Sequence, residues 1–173
     1  MRLKTTDLAL IAVSAALISV FSQIIIPLPS GIPLTLQTFM IALVGYILGS
    51  FEGIAAVFIY IFLGAVGVPV FTGFQGGLGA LFGFTGGFIL GFLPLVFMCG
   101  IEAKSLFLKI VFGIVGLIFC HLLGVLYFSH YSGDLRSAFF AASVPYIAKD
   151  IISVALASII SGKIKRAILV YIM

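Results

Sequence analysis

The amino-acid sequence predicts an all-α integral membrane protein with six transmembrane helices. Of its 173 residues, 63% are hydrophobic and only 8% are charged. No lysine or arginine occurs between Lys4 and Lys104. Apolar runs recur along the whole chain, and a helix needs about 20 such residues to cross a bilayer. The length allows about six crossings, so we expect residues 1–173 to form a single membrane-embedded domain.

Short breaks divide the sequence into six apolar runs. The breaks contain proline, glycine or charged residues, which end helices. The second and third runs are too short for a straight crossing, so we expect tilted or re-entrant helices there. Long loops at 27–37 and 68–84 separate helices 1–2 and 3–4, and a polar loop at 129–137 precedes the last helix. The predicted helices cover residues 7–26, 38–50, 54–67, 85–101, 106–128 and 143–162.

The distribution of basic residues predicts the orientation of the chain. Six crossings place both termini on the same side of the membrane. Seven of the nine basic residues then share that side, and only Arg136 and Lys149 lie on the other. Cytoplasmic segments carry an excess of lysine and arginine. We therefore expect a multi-pass protein of the cell membrane with both termini in the cytoplasm and both long loops outside.

A glycine-dense segment follows the third predicted helix. Residues 73–91 contain eight of the 20 glycines. Within a bilayer, irregular backbone is tolerated only where protein buries it or where it borders a water-filled cavity. The flanking residues 70–71 and 88–90 are apolar, whereas a solvated linker would be polar. We interpret the segment as the wall or lid of an outward-facing binding cavity; a flexible connector is the alternative.

Lys149 and Asp150 are adjacent charged residues inside the sixth predicted helix. They lie about seven residues from its outer end, which corresponds to about 10 Å at 1.5 Å per residue. Charges at such depth usually face a cavity or pathway. Adjacent residues point about 100° apart, so we expect Asp150 to face inward and Lys149 to extend outward. A purely structural contact between helices is the alternative. We interpret His121, in the fifth predicted helix, as a buried, hydrogen-bonded side chain.

Small residues form a stripe on one face of the first predicted helix. Ala9, Ala12, Ala16 and Ser19 recur at spacings of three and four residues. Such stripes allow close approach of helices in lipid. The stripe is compatible with packing inside the protein's own bundle and equally with docking of a second membrane protein.

The sequence contains no pattern typical of an enzyme or a metal site. It has no phosphate-binding loop motif, and its five carboxylates and two histidines form no acid/base or metal-ligand pair at helical spacing. Cys99 and Cys120 lie in apolar segments and are interpreted as small hydrophobic residues. We therefore expect no catalytic residue, no metal and no cofactor.

Several short motifs follow one another in a specific order along nearly the whole chain. They are residues 33–39, Tyr60 with Gly64 and Gly67, Pro69-Val70-Phe71, Gly76-Gly77, the turn at 83–87, and Pro145 followed by Asp150. Because it contains these motifs in this order, the chain resembles the BioY family. The members of this family are the biotin-specific substrate-binding (S) components of energy-coupling-factor (ECF) vitamin transporters. The resemblance implies a six-helix protein that binds biotin with high affinity from outside. It also implies association with a transmembrane coupling protein and two ABC-type ATPases, for which Ala12 and Ala16 belong to the docking motif.

With this resemblance, we expect the ligand in the outer half of the bundle, below the glycine-rich loop. Asp150 would accept hydrogen bonds from N–H groups of the ligand. The candidate substrate-binding residues are Asp150, Lys149, Gln75, Thr35, Gln37, Thr85, Gly86, Tyr60 and Tyr146. The candidate docking residues are Ala9, Ala12 and Ala16.

One departure from the family pattern leaves alternatives open. The family commonly has a lysine three residues after the aspartate, and here that position is Ser153. An S component for a related vitamin such as lipoate is therefore a second interpretation, because a dithiolane ring needs fewer polar partners. A stand-alone small-molecule channel or secondary transporter is a third interpretation, from a different class of protein.

Overall fold

The computed structural model describes residues 4–27 and 33–172, with side chains up to residue 168. This part of the chain is mainly helical, as predicted, and contains one short antiparallel strand pair. The helices are α1 (Thr5–Phe21), α2 (Gln37–Leu48), α3 (Ser50–Ala65), α4 (Leu78–Leu81), α5 (Gly86–Gly100), α6 (Leu106–Ser132), α7 (Leu135–Ala142) and α8 (Val144–Ile172). The strands are β1 (Ile25–Ile26) and β2 (Leu34–Thr35).

Six of these helices correspond in order to the six predicted apolar runs, but they differ in length. Residues 106–132 of α6 and 144–168 of α8 are long and apolar enough to cross a membrane by length and composition. The helices α1, α2, α3 and α5 are shorter and also apolar. The expected shortness of the second and third helices is confirmed, since α2 has 12 residues and α3 has 16.

Three predicted boundaries are wrong. The break between α2 and α3 is Gly49 alone, at φ 92°, and Glu52 lies in the first turn of α3 instead of a loop. The predicted polar loop at 129–137 is mostly helical, because α6 continues to Ser132 and Asp134 then caps α7 through a bond from the Ser137 amide. Helix α8 continues past Gly162, where the sequence predicted its end. One glycine costs a helix about 1 kcal/mol, which a long helix tolerates.

The first long loop begins and ends in the strand pair. Ile25 pairs with Thr35 and Ile26 with Leu34. Residues 28–32 of this loop lie outside the described part of the chain. The strand pair therefore holds Thr35, which lies just before α2, close to the segment that follows α1.

Glycines allow α5 and α6 to pack closely. A Cβ atom on Gly91 would lie 2.8 Å from Cα of Cys120, and one on Gly116 would lie 3.0 Å from Cα of Leu95. Larger residues at these positions would force the helices apart. The close contact at Cys120 fixes the next residue, His121, at a defined height along α5.

Helix α1 contacts the bundle through a face different from the small-residue stripe. Ile11, Ala15 and Ile18 are buried in the core. Ala9, Ala12 and Ala16 are exposed. The bundle therefore leaves these three alanines uncovered.

The glycine-rich loop, residues 67–77, is attached to the end of α1 by side-chain hydrogen bonds. Ser22 Oγ donates to the Val70 carbonyl at 2.6 Å, and Gln23 Nε2 donates to the Phe71 carbonyl at 3.0 Å. Gln23 Oε1 accepts from the Phe74 amide at 2.8 Å. The nitrogen and the oxygen of the Gln23 side-chain amide thus both bind the backbone of the loop. The loop covers one end of the bundle.

Candidate functional site

A polar cavity lies below this loop, between the first turns of α2 and α5, the second half of α6 and the first half of α8. Its volume is about 90 Å³. The hydroxyl, amide, imidazole and carboxylate groups on its wall come from segments far apart in sequence. The polar residues that line it are Thr35, Gln37, Thr38, Tyr60, Thr72, Gln75, Thr85, His121 and Asp150.

Asp150 is the buried anionic group of the cavity. Its Oδ2 lies 3.2 Å from Nε2 of His121. Its Oδ1 is in ion-pair contact with the Lys149 ammonium, and no second donor among the described residues reaches it. A carboxylate oxygen has two lone pairs, so Oδ1 can accept a further hydrogen bond beside the ammonium. Asp150 therefore has an acceptor position available to a ligand.

Lys149 reaches back across the bundle instead of extending outward as expected. Its Nζ donates to the Thr35 carbonyl at 2.9 Å and lies 3.5 Å from Oγ1 of Thr38. The flexible four-carbon side chain overcomes the 100° offset from Asp150. The ammonium thus joins α8 to β2 and α2 and partly neutralises the buried carboxylate.

His121 connects Asp150 to a second buried side chain. Its Nδ1 lies 2.9 Å from Oγ of Ser143, and Ser143 is 1% exposed. A carboxylate can only accept, so Nε2 bears the hydrogen in the bond to Asp150. In the neutral ring Nδ1 is then the acceptor for the Ser143 hydroxyl. The chain Ser143–His121–Asp150 orients the carboxylate through the oxygen that faces α6.

A second polar group is centred on Gln37, at the start of α2. Gln37 Nε2 donates to the Tyr60 hydroxyl at 2.6 Å, and Gln37 Oε1 accepts from Thr72 Oγ1 at 3.4 Å. Its backbone amide donates to Thr35 Oγ1 at 3.3 Å. These bonds hold the Gln37 side chain between α3 and the glycine-rich loop, so movement of the loop changes the polar wall of the cavity.

Aromatic rings form the apolar walls. The Tyr60 and Phe71 rings meet edge to face with centroids 5.5 Å apart. The Phe88 and His121 rings have the same arrangement at 5.9 Å. Small-molecule sites commonly combine such apolar walls with a few fixed polar groups.

The structure brings most of the expected site residues together. Thr35, Gln37, Tyr60, Gln75, Thr85 and Asp150 line the cavity. Lys149 lies beside it through its ammonium group. Tyr146 is buried in a neighbouring apolar cluster with Ala142. Gly86 packs against α4, since a Cβ there would lie 1.9 Å from the Leu81 carbonyl oxygen. Neither of these two residues lines the cavity.

Four residues of the cavity region are not among the site residues predicted from the sequence. The sequence predicts only a structural hydrogen bond for His121, and it predicts no site role for Thr38, Thr72 or Ser143. A polar residue inside an apolar span has a raised prior for function, which was the available signal for His121. The contact of Ser143 with His121 spans 22 residues, and no local pattern reveals it.

The helices and the cavity together define a membrane protein with a buried, charged small-molecule site near one end of its bundle. The BioY family matches residues 1–169. The chain belongs to the BioY family.

Relatives from distant organisms match most of the chain. The probable biotin transporter BioY of Pyrococcus horikoshii is 34% identical over 94% of this chain and 98% of its own length. The biotin transporter BioY of Thermotoga maritima is 38% identical over 87% of this chain and 90% of its own. The biotin transporter BioY2 of Lactococcus lactis is 34% identical over 95% of this chain and 93% of its own length.

A solved structure has the same fold. It is a crystal structure at 2.1 Å of the S-component for biotin from an ECF-type ABC transporter. It superimposes with a TM-score of 0.86 over 95% of each chain, at 23% sequence identity.

Proposed function

We propose that this protein is the biotin-binding S component of an ATP-driven ECF importer. Its ligand would bind in the polar cavity, and its partners would be a transmembrane coupling protein and two ABC-type ATPases. Membership of the BioY family supports transport in place of catalysis. The whole chain would act as one substrate-binding domain in the plasma membrane.

The observation that carries this proposal is the available oxygen of Asp150. The ureido ring of biotin has two N–H donors and one carbonyl acceptor. Asp150 Oδ1 would accept from a ureido N–H, while the Lys149 ammonium next to it would donate to the ureido oxygen. Hydrogen bonds to charged partners are shorter and stronger than neutral ones. The pair thus matches both kinds of polar group on the ring.

The same geometry favours biotin over lipoate. The expected lysine at position 153 is absent, but Lys149 places an ammonium against the carboxylate from the preceding position. Ser153 is buried and does not line the cavity. A dithiolane has no N–H group and would leave the second acceptor position of this Asp150 oxygen unfilled, which is costly in a buried site.

Ligand titration of the purified protein tests the proposal. We expect biotin to bind with high affinity and lipoate at least a hundredfold more weakly, because lipoate leaves a charged acceptor unsatisfied. Isothermal titration calorimetry in detergent, after removal of co-purified ligand, measures both. Equal affinities, or preference for lipoate, would contradict the assignment.

The cavity has to enlarge to admit this ligand. Its volume of about 90 Å³ is below the range of about 300–1,000 Å³ typical of small-molecule sites. The glycine-rich loop at 67–77 is non-helical and contributes Phe71, Thr72 and Gln75 to the cavity wall, so we propose that it opens to admit biotin and closes over it.

We also propose six crossings with both termini in the cytoplasm. The four shorter apolar helices would cross with α6 and α8, tilted or with the bilayer thinned around them. Lys104, Lys109 and Lys165 line one cavity at the end of the bundle opposite the biotin site, which supports their placement on one side. Arg2 also counts toward that side, but it lies outside the described residues.

Cysteine labelling tests the orientation. In a variant without Cys99 and Cys120, a membrane-impermeant maleimide applied to intact cells should modify Ser132→Cys and spare Lys165→Cys. Permeabilised cells provide the control, because both positions are exposed and should then react. The reverse pattern would place the termini outside.

His121 should act as a positioning residue for Asp150. His121→Ala removes the donor to Oδ2, and we expect biotin affinity to fall about tenfold. His121→Gln retains an N–H donor and should recover part of the loss. His130→Ala is the control, since His130 is exposed and has no contact with Asp150.

A double-mutant cycle separates positioning from general packing. If His121 acts through Asp150, then His121→Ala should have little further effect in an Asp150→Asn background. Additive losses of affinity, or no recovery by glutamine, would assign His121 a packing role only.

A further inference from the structure

A second polar cavity lies at the other end of the bundle, where α2 and α5 end and α6 begins. Its volume is about 390 Å³, larger than that of the biotin cavity. Tyr46 forms part of its floor, and the Tyr46 hydroxyl donates to the Lys109 carbonyl at 2.9 Å. This bond joins α2 to the first turn of α6 and holds the backbone of Lys109 at the cavity wall.

The charges around this cavity are unbalanced. Three lysines from different segments line it, Lys104 before α6, Lys109 within α6 and Lys165 on α8, against the carboxylate of Glu102 in the wall and that of Glu52 beside Gly49. Among the described side chains, the ion pairs all involve Asp150 at the far end of the bundle, so none neutralises these lysines. Ammonium groups that converge in excess of the carboxylates around them attract an anion.

Apolar side chains continue directly from this basic cavity. Leu106, Phe107 and Leu108 form the first turn of α6, between Lys104 and Lys109, and are 49%, 73% and 42% exposed. Their position at the end of an apolar helix places them where headgroups meet acyl chains. A small water-soluble anion would leave these three side chains uncovered, whereas a lipid would cover them with its chains.

We propose that this cavity binds the anionic headgroup of a membrane phospholipid. Its phosphate lies among Lys104, Lys109 and Lys165, and its acyl chains lie along the first turn of α6. Basic pockets between transmembrane helices are suited to such headgroups. The proposal goes beyond biotin binding and depends only on the protein being embedded in a membrane.

Lipid titration with a matched pair of lysine variants tests this site. Lys165 lines the cavity, whereas Lys163 is two residues away on the same helix and does not. Native mass spectrometry of the purified full-length protein measures binding of phosphatidylglycerol, phosphatidylcholine and glycerol 3-phosphate. We expect phosphatidylglycerol to bind at least tenfold more tightly than the other two.

The variants distinguish a site from diffuse attraction. Lys165→Gln should weaken phosphatidylglycerol binding about fivefold and Lys163→Gln much less, since each juxtamembrane lysine contributes about that factor where it reaches the headgroup. The double variant Lys104→Gln/Lys109→Gln should lose about 25-fold. Unchanged biotin affinity and melting temperature should accompany these losses, because the lysine side chains are outside the biotin cavity.

Three results would overturn the proposal. Equal losses in Lys165→Gln and Lys163→Gln would mean that only the overall charge matters. Equal affinities for phosphatidylglycerol and phosphatidylcholine would remove the anionic preference. Binding of glycerol 3-phosphate as tight as that of phosphatidylglycerol would identify a soluble anion as the occupant.

Discussion

Asp150→Asn should weaken biotin binding by about ten- to a hundredfold. The substitution keeps the size of the side chain but removes its charge and its pairing with Lys149. Loss of a charged hydrogen-bond partner typically costs about 1.5–3 kcal/mol, which corresponds to that range of affinity. The partly buried Lys149 ammonium would also keep an uncompensated charge beside the cavity. Calorimetric titration with biotin in detergent measures the effect.

Asp134→Asn is the matched control for this change. Hydrogen bonds from the backbone amide and hydroxyl of Ser137 lower the pKa of Asp134, so both substitutions remove an ionised carboxylate. Asp134 is exposed at the start of α7, and asparagine is an equally good helix cap. Biotin affinity should therefore be unchanged. Wild-type affinity in a folded Asp150→Asn protein would make Asp150 a structural residue.

Ala12→Trp should abolish energised biotin uptake while leaving biotin binding intact. Ala12 is exposed on α1, and an indole there would prevent close approach of a partner helix. No described residue of α1 lines the polar cavity. Uptake of labelled biotin by cells that contain the complete transporter measures the first effect, and titration of the isolated variant measures the second.

Leu17→Trp provides the control for added bulk. Leu17 is partly exposed on α1 and lies about 140° around the helix from Ala12, at 100° per residue. It should retain uptake, because it faces away from the stripe of small residues. Normal uptake by Ala12→Trp would exclude this stripe as the docking face. Loss of biotin binding would mean that the tryptophan disturbs the bundle itself.

The mainly helical fold could be predicted because it follows from composition. Long apolar runs must form helices, since backbone groups in hydrocarbon have no water to bind. The positions of the helix ends were harder to predict from the sequence. Gly162 resembles a stop signal, yet α8 continues through it, because the whole helix outweighs the cost of one glycine. Gly49 does end α2, through a positive φ that no neighbouring residue predicts.

The site could be predicted where a single position carries the signal. Asp150 is a charge inside an apolar helix, and Gln37 is a polar residue at the start of another, so both are conspicuous in the sequence. The residues that contact Asp150 cannot be recognised from the sequence in this way. His121 meets it across 29 residues, and the Lys149 ammonium meets the Thr35 carbonyl across 114. Such contacts depend on how helices are arranged in space, which residue spacing along one helix does not reveal.

The attachment of the glycine-rich loop to α1 has a mechanical consequence. Ser22 and Gln23 bind the backbone of Val70, Phe71 and Phe74 at one end of this helix. The exposed alanines, Ala9, Ala12 and Ala16, lie along the middle of the same helix. A helix transmits displacement along its axis, so a tilt of α1 imposed at the stripe carries the attached loop with it. Helix α1 thus connects the exposed alanines to the loop that covers the polar cavity.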